Sequence, residues 1–161
     1  MKTLPLDRSR AFDPSNYPRR PSRYSPLPHF LQRFKERKRF LNGKVIYDAV
    51  TKGDLRDNGD GCACFRKVWG AGVAYYLIVG FHEEGHLVYV TAWPHLHHRE
   101  PALNSGLWSP TELDAIEALN EQYQTRFADH YPEYDEWLQQ NEPDRRCGSQ
   151  KKLDGTRSVL P

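Results

Sequence analysis

Residues 62–93 read CACFRKVWGAGVAYYLIVGFHEEGHLVYVTAW, and this stretch decides the fold. Its apolar residues are mostly β-branched or aromatic, the types that suit a pleated and half-buried surface. Gly70-Ala71-Gly72 and Glu83-Glu84-Gly85 interrupt it where tight turns are needed. The pattern predicts strands over 62–69, 73–81 and 87–93. Leu55-Arg56-Asp57 forms an earlier strand, joined through the turn Asn58-Gly59-Asp60-Gly61. Pro94 is expected to end the last strand, leaving 95–107 as a histidine-rich loop.

On either side the period becomes helical. Pro28 suits a first-turn position, and Leu27, Phe30, Leu31, Phe34 and Leu41 fall on one face, which predicts a helix over 28–41 stopped by Asn42-Gly43. Val45, Ala49 and Val50 predict a second, shorter helix over 44–52 that ends at Gly53. Downstream, Ser109-Pro110-Thr111-Glu112 has the form of a capping box, followed by a stripe of Leu113, Ile116, Leu119, Tyr123 and Phe127. A shorter helix is expected over 132–140, packing through Tyr134 and Trp137. The fold class is α+β: two N-terminal helices, an antiparallel meander of three to four strands, and a capped C-terminal helix packed on the sheet.

The rest of the chain reads as unstructured. Five prolines among five arginines in residues 1–26 predict a basic arm without fixed structure, and 141–161 reads as a flexible tail. Between them, 27–140 forms a single domain, with a core over 27–94 and added acidic helices over 108–140.

Composition narrows the class further. At 161 residues the chain is one ordinary domain; it is 38% apolar and 12% aromatic, too rich for full disorder. Its mean hydropathy is −0.81. The longest apolar run, 73–81, is less than half of the roughly 20 residues that a membrane helix needs, and residues 1–5 open no signal-peptide core. A cytoplasmic protein with no membrane partner is expected. Three cysteines cannot all pair within one chain, which fits reduced thiols; Cys62 and Cys64 share one strand face and read as small buried hydrophobes. Charge is unevenly spread: residues 1–53 carry thirteen Lys/Arg against four Asp/Glu, about +9, and the remainder is about −7. A basic end suits a polyanion.

Several strings look chemical. His82-Glu83-Glu84-Gly85-His86 is a literal H-E-x-x-H, but metalloprotease chemistry needs the two histidines on a helix, whereas this string spans two strands. His95, His97 and His98 read as surface residues. Asp54, Asp57, Asn58 and Asp60 form a turn, because Val68 stands where a calcium loop would place its last carboxylate. No metal and no cofactor are therefore expected.

The first helix carries a more informative set. His29, Arg33 and Arg37 recur at i, i+4 and i+8, so they line one stripe beside the apolar face. Imidazole moves protons near neutral pH, and guanidinium binds two phosphate oxygens. A basic helix edge with snorkelling arginines gives the same pattern. Lys35, Lys38 and Arg39 extend the basic rim. On the last strand, Val88, Val90 and Ala92 are expected to face the helices, with Tyr89, Thr91 and Trp93 on the opposite face. Aromatics beside a basic rim would stack and hold single-stranded nucleic acid.

The order of His29, Arg33 and Arg37 on a first helix, a short helix ending in Gly53, glycine-turn hairpins, Tyr75-Tyr76-Leu77-Ile78 and closing Val90-Thr91-Ala92-Trp93-Pro94 resembles a small domain family grouped with RelE-like and BrnT-like toxins. That group shares the barnase, colicin and RelE ribonuclease fold. The resemblance covers roughly residues 28–94 and implies an active-site set of His29, Arg33 and Thr91. It implies RNA as substrate, at the ribosome, and a cognate antitoxin or other protein partner.

The resulting expectation is a metal-independent RNA endonuclease of toxin type. His29 would transfer the proton of an attacking 2′-hydroxyl, Arg33 and Arg37 would stabilise the phosphorane, and Thr91 would orient a phosphate or the nucleophile. The alternative is a non-catalytic nucleic-acid or protein-binding accessory of the same fold. Glu112, Asp114, Glu117 and Glu121 are either an electrostatic cover over the basic groove or ordinary solvated carboxylates.

Overall fold

The computed structural model describes residues 4–121. Four strands form the meander: β2 (Asp54–Gly59), β3 (Cys62–Val68), β4 (Val73–Phe81) and β5 (Leu87–Leu96). A two-residue strand, β1 (Ser25–Pro26), runs parallel to β5 and makes the sheet mixed, in the order β1-β5-β4-β3-β2. The helices are α1 (Pro28–Phe34), α2 (Gly43–Lys52), α3 (Arg99–Asn104) and α4 (Pro110–Glu121). The fold class is α+β, with a sheet one strand wider than the expected meander. No helix among the described residues is long and apolar enough to cross a membrane.

All nine residues of β4 are buried, as expected of a central strand covered on both faces. One face carries Phe65, Tyr75, Leu77, Val79 and Tyr89 against Phe30, Val45, Val50, Leu113 and Ile116 from α1, α2 and α4. The other carries Cys62, Cys64, Tyr76, Ile78, Val88 and Val90 with Leu6 and Leu27. Cys62 and Cys64 are both buried on that second face, as their strand spacing predicts.

Residues 4–26 do not behave as an unstructured arm. Leu6 bridges His82, the Asp7 amide donates to Phe81 O at 2.9 Å, and the Glu83 amide donates to Pro5 O at 2.9 Å. Tyr17 and Tyr24 are buried in the helix-side core, with Tyr24 stacked on Tyr89 at 5.1 Å. Composition suggested disorder, but two buried aromatic rings and a strand pairing supply the apolar burial that offsets chain ordering.

The first helix is also shorter than its apolar period. It ends at Phe34, and Arg37–Arg39 forms a separate 3-10 turn. Phe40 then takes a left-handed conformation, φ 52°. That conformation is strained for a bulky residue by roughly 1–2 kcal/mol. Its ring lies edge-on to Trp108 at 5.7 Å and its carbonyl accepts from Tyr75 Oη at 2.6 Å, which hold it there. Asn42-Gly43, expected to stop the first helix, instead starts α2: the Asn42 side chain accepts from the Val45 amide at 3.0 Å.

Pro94 does not end the last strand, which runs to Leu96. Beyond Tyr89 its outer edge has no neighbouring strand among the described residues, so the missing proline N–H breaks no ladder there. Asn120 of α4 covers this edge, accepting from the Leu96 amide at 2.8 Å and donating to Pro94 O at 2.9 Å. Part of the expected histidine-rich loop is therefore strand, and another part is α3. The capping box forms as read: Glu112 N donates to Ser109 Oγ at 3.1 Å and Ser109 N to Glu112 Oε1 at 2.8 Å. Tyr123, Phe127, the 132–140 helix and the 141–161 tail lie outside the described residues.

Candidate functional site

α1 is anchored by Phe30, which stacks on Tyr89 at 5.2 Å and sits 5.9 Å from Phe34. With these rings inward, His29 and Arg33, four residues apart, lie half-buried at the helix border. The chain then breaks, and Glu36 becomes the centre of a clamp. Arg33 Nη1 lies 2.7 Å from Glu36 Oε2, and Arg39 Nε lies 2.6 Å from Glu36 Oε1. Arg39 is buried and also donates to Ala92 O at 2.9 Å on the open edge of β5. The 3-10 turn thus exists to carry Arg39 inward to that carbonyl.

These contacts set the protonation states. Burial pushes the Glu36 carboxyl up, but hydrogen bonds from Arg39 and Arg33 outweigh it and hold the group below its usual value. Burial first, then the Arg33 and Arg39 charges, push His29 below its ordinary value, against a smaller opposing pull from Glu36. His29 is thus neutral at pH 7 and able to accept a proton.

Arg37 does not continue the His29–Arg33 stripe, because α1 has ended before it. It is exposed instead, like Lys35 and Lys38. These three cations make no ion pair among the described residues, since Arg33 and Arg39 engage Glu36. The result is a basic ledge projecting from the turn between α1 and α2. Asp114 and Glu117 of α4 pair with Arg99 at 2.8 and 3.7 Å, not with the ledge, and Glu112 closes its own helix cap.

The expected alternation on β5 holds only in part. β5 carries a bulge at Val90: Ile78 pairs with Thr91 and its neighbour Val79 with Tyr89, leaving Val90 as the extra residue. Tyr89 therefore points into the helix-side core, where it is buried and donates its hydroxyl to Pro21 O at 2.7 Å. It offers no ring for a base to stack on. Val88 and Val90 face the other core, opposite to the side expected, while Ala92 does face the helices. Thr91 shares the face of Ile78, so the sheet separates its hydroxyl from His29 and Arg33. Trp93 lies on that far face too, stacked on Tyr76 at 5.4 Å and 12°.

The far face also holds a polar row that the strand pattern did not single out. Asp54, Arg66, Tyr76 and Trp93 stand directly opposite one another across four strands. Arg66 is fully buried, with Nη2 2.6 Å from Asp54 Oδ2. The Tyr76 hydroxyl lies 3.1 Å from His97 Nε2, and the His95 and His97 rings are 4.3 Å apart. Burial pushes His95 down to about 4. Burial, followed by His95, His98 and Arg66, pushes His97 down as well. These imidazoles are not surface groups. An arginine between Cys64 and Val68, and a Trp93, His95, His97 alternation running through Pro94, were the available signals. Arg66 and Tyr76 of this row are buried, whereas Lys35, Arg37 and Lys38 of the ledge are exposed to a ligand.

No family model, curated protein or solved structure matches this chain.

Proposed function

We propose that the protein binds RNA through its phosphates at the basic ledge, as a non-catalytic accessory protein. One observation carries this reading: Lys35, Arg37 and Lys38 are exposed together and engage no carboxylate among the described residues, because Glu36, the acidic residue of the turn, is already clamped by two arginines. A folded basic turn of this kind attracts phosphates without reading sequence, and the loss of Tyr89 as a stacking platform fits that lack of selectivity.

The test is RNA binding across about 50–200 mM salt, with Lys35, Arg37 and Lys38 replaced together by Gln. Neutralising three phosphate contacts to a single strand should lower the log–log salt slope by about 2. An unchanged slope in the folded variant refutes the ledge as the contact.

A second reading, an RNA endonuclease of toxin type controlled by an antitoxin, draws support from neutral His29 beside Arg33. His29 would take the 2′-hydroxyl proton, and Arg33 would leave Glu36 to meet the phosphate. Labelled RNA incubated with the protein in EDTA separates the two. Cleavage that His29→Ala abolishes favours the enzyme, and intact RNA with salt-sensitive binding favours the accessory.

A further inference from the structure

We propose that the tip of the β4–β5 hairpin is a site for a divalent transition-metal ion of the zinc type, held by His82, Glu84 and His86. The argument begins with the turn. The His82 amide donates to His86 O at 2.7 Å, and the Gly85 amide to His82 O at 2.7 Å. Gly85 takes φ 102°, a conformation that L side chains rarely adopt, so glycine is required for this closure. The turn places the two histidines opposite each other on one face, with ring centroids 4.5 Å apart and planes 15° from parallel.

Glu84, at the middle of the turn, folds back toward the same point. Its amide donates to His82 Nδ1 at 3.0 Å, which fixes the ring and leaves Nε2 as its metal-binding nitrogen, and its Oε1 lies 3.8 Å from Nδ1. One ligand atom from each of the three residues lies within 4.8 Å of the others. A tetrahedral zinc ion with bonds of about 2.0–2.1 Å needs ligand atoms about 3.3 Å apart. Small rotations of Glu84 and His86 close that gap, and both side chains are exposed and free to make them. His82 is the fixed member: it is half-buried, bridges Leu6, and is followed by Glu83, whose amide is bonded to Pro5.

Two imidazole nitrogens and one carboxylate oxygen select zinc, nickel or copper over magnesium or calcium, which prefer all-oxygen shells. The helical arrangement of a metalloprotease is absent, so the ion's role here is as a staple. It would lock the tip of the hairpin in its turn, and bound metal would raise the melting temperature.

The test uses the full chain, stripped with EDTA and dialysed, and titrated with zinc chloride by calorimetry, with magnesium chloride as the comparison. The expected result is one zinc site and no magnesium site. His86→Ala should weaken zinc binding by about tenfold or more, and Glu84→Gln by several-fold, with unchanged circular dichroism. Both substitutions fall on exposed side chains of a hairpin tip, so folding is retained. Zinc affinity unchanged in either variant, or no zinc binding into the millimolar range, overturns the assignment.

Discussion

Tyr24→Ala tests whether residues 4–26 belong to the core. The tyrosine is buried, stacked on Tyr89 at 5.1 Å and edge-on to Phe65 at 6.3 Å, and its hydroxyl donates to Pro18 O at 2.8 Å. Truncating a buried aromatic to alanine costs about 3–5 kcal/mol through lost transfer energy and the cavity left behind. Removing the hydroxyl alone, as in Tyr24→Phe, costs about 1 kcal/mol. A domain of this size is stable by about 5–15 kcal/mol, so Tyr24→Ala should leave it marginal. Urea unfolding at constant m-value reads both changes. The phenol gives an independent check: burial, with smaller contributions from Tyr89 and Tyr17, pushes it well above the ordinary tyrosine value, so Tyr24 should resist ionisation in an alkaline spectroscopic titration. A loss below about 1 kcal/mol in Tyr24→Ala would refute the packing argument and restore the N-terminal segment to an independent arm.

Two further outcomes follow from other contacts. Asn120→Ala removes the side chain that pairs with the Leu96 amide and Pro94 carbonyl, so it should cost about 1–3 kcal/mol and speed hydrogen exchange at Leu96. Acid should destabilise the fold through His95: its folded value of about 4 lies below the ordinary 6.5, so the unfolded chain takes up a proton that the native state refuses. This contribution is complete above about pH 6.5 and lost as pH falls toward about 4, with a ceiling of about 3 kcal/mol. Unfolding midpoints from about pH 7.5 to about pH 4.5 should decline, and His95→Gln should flatten the decline.

The basic ledge and the hairpin histidines differ in how readily sequence exposes them. Lys35 to Arg39 is visible as a charge run, but a run does not say which members will be consumed internally. Arg33 and Arg39 are taken by Glu36, and Arg39 is buried, whereas Arg37 stays outside. A helix extended to Leu41 would have assigned these roles differently, because it keeps Arg33 and Arg37 on one stripe. The histidine string is equally visible. Its arrangement across a turn, and not along a helix, changes the chemistry that it suits.

Local patterns by themselves determined the meander, the second helix and the capping box. β-branched and aromatic blocks with glycine turns, and the Ser109–Glu112 spacing, are satisfied by neighbours close in the chain. Tertiary structure alone decided the rest, where distant partners outweigh local preference. Tyr24 finds Tyr89, Arg39 finds the Ala92 carbonyl, and Asn120 finds the edge beside Pro94. The bulge at Val90 in β5, opposite Ile78 and Val79, sends Tyr89 to one face and Thr91 to the other. Because side chains alternate with a period of exactly two along a strand, one extra residue changes which face every later side chain occupies, and no window of sequence contains that information.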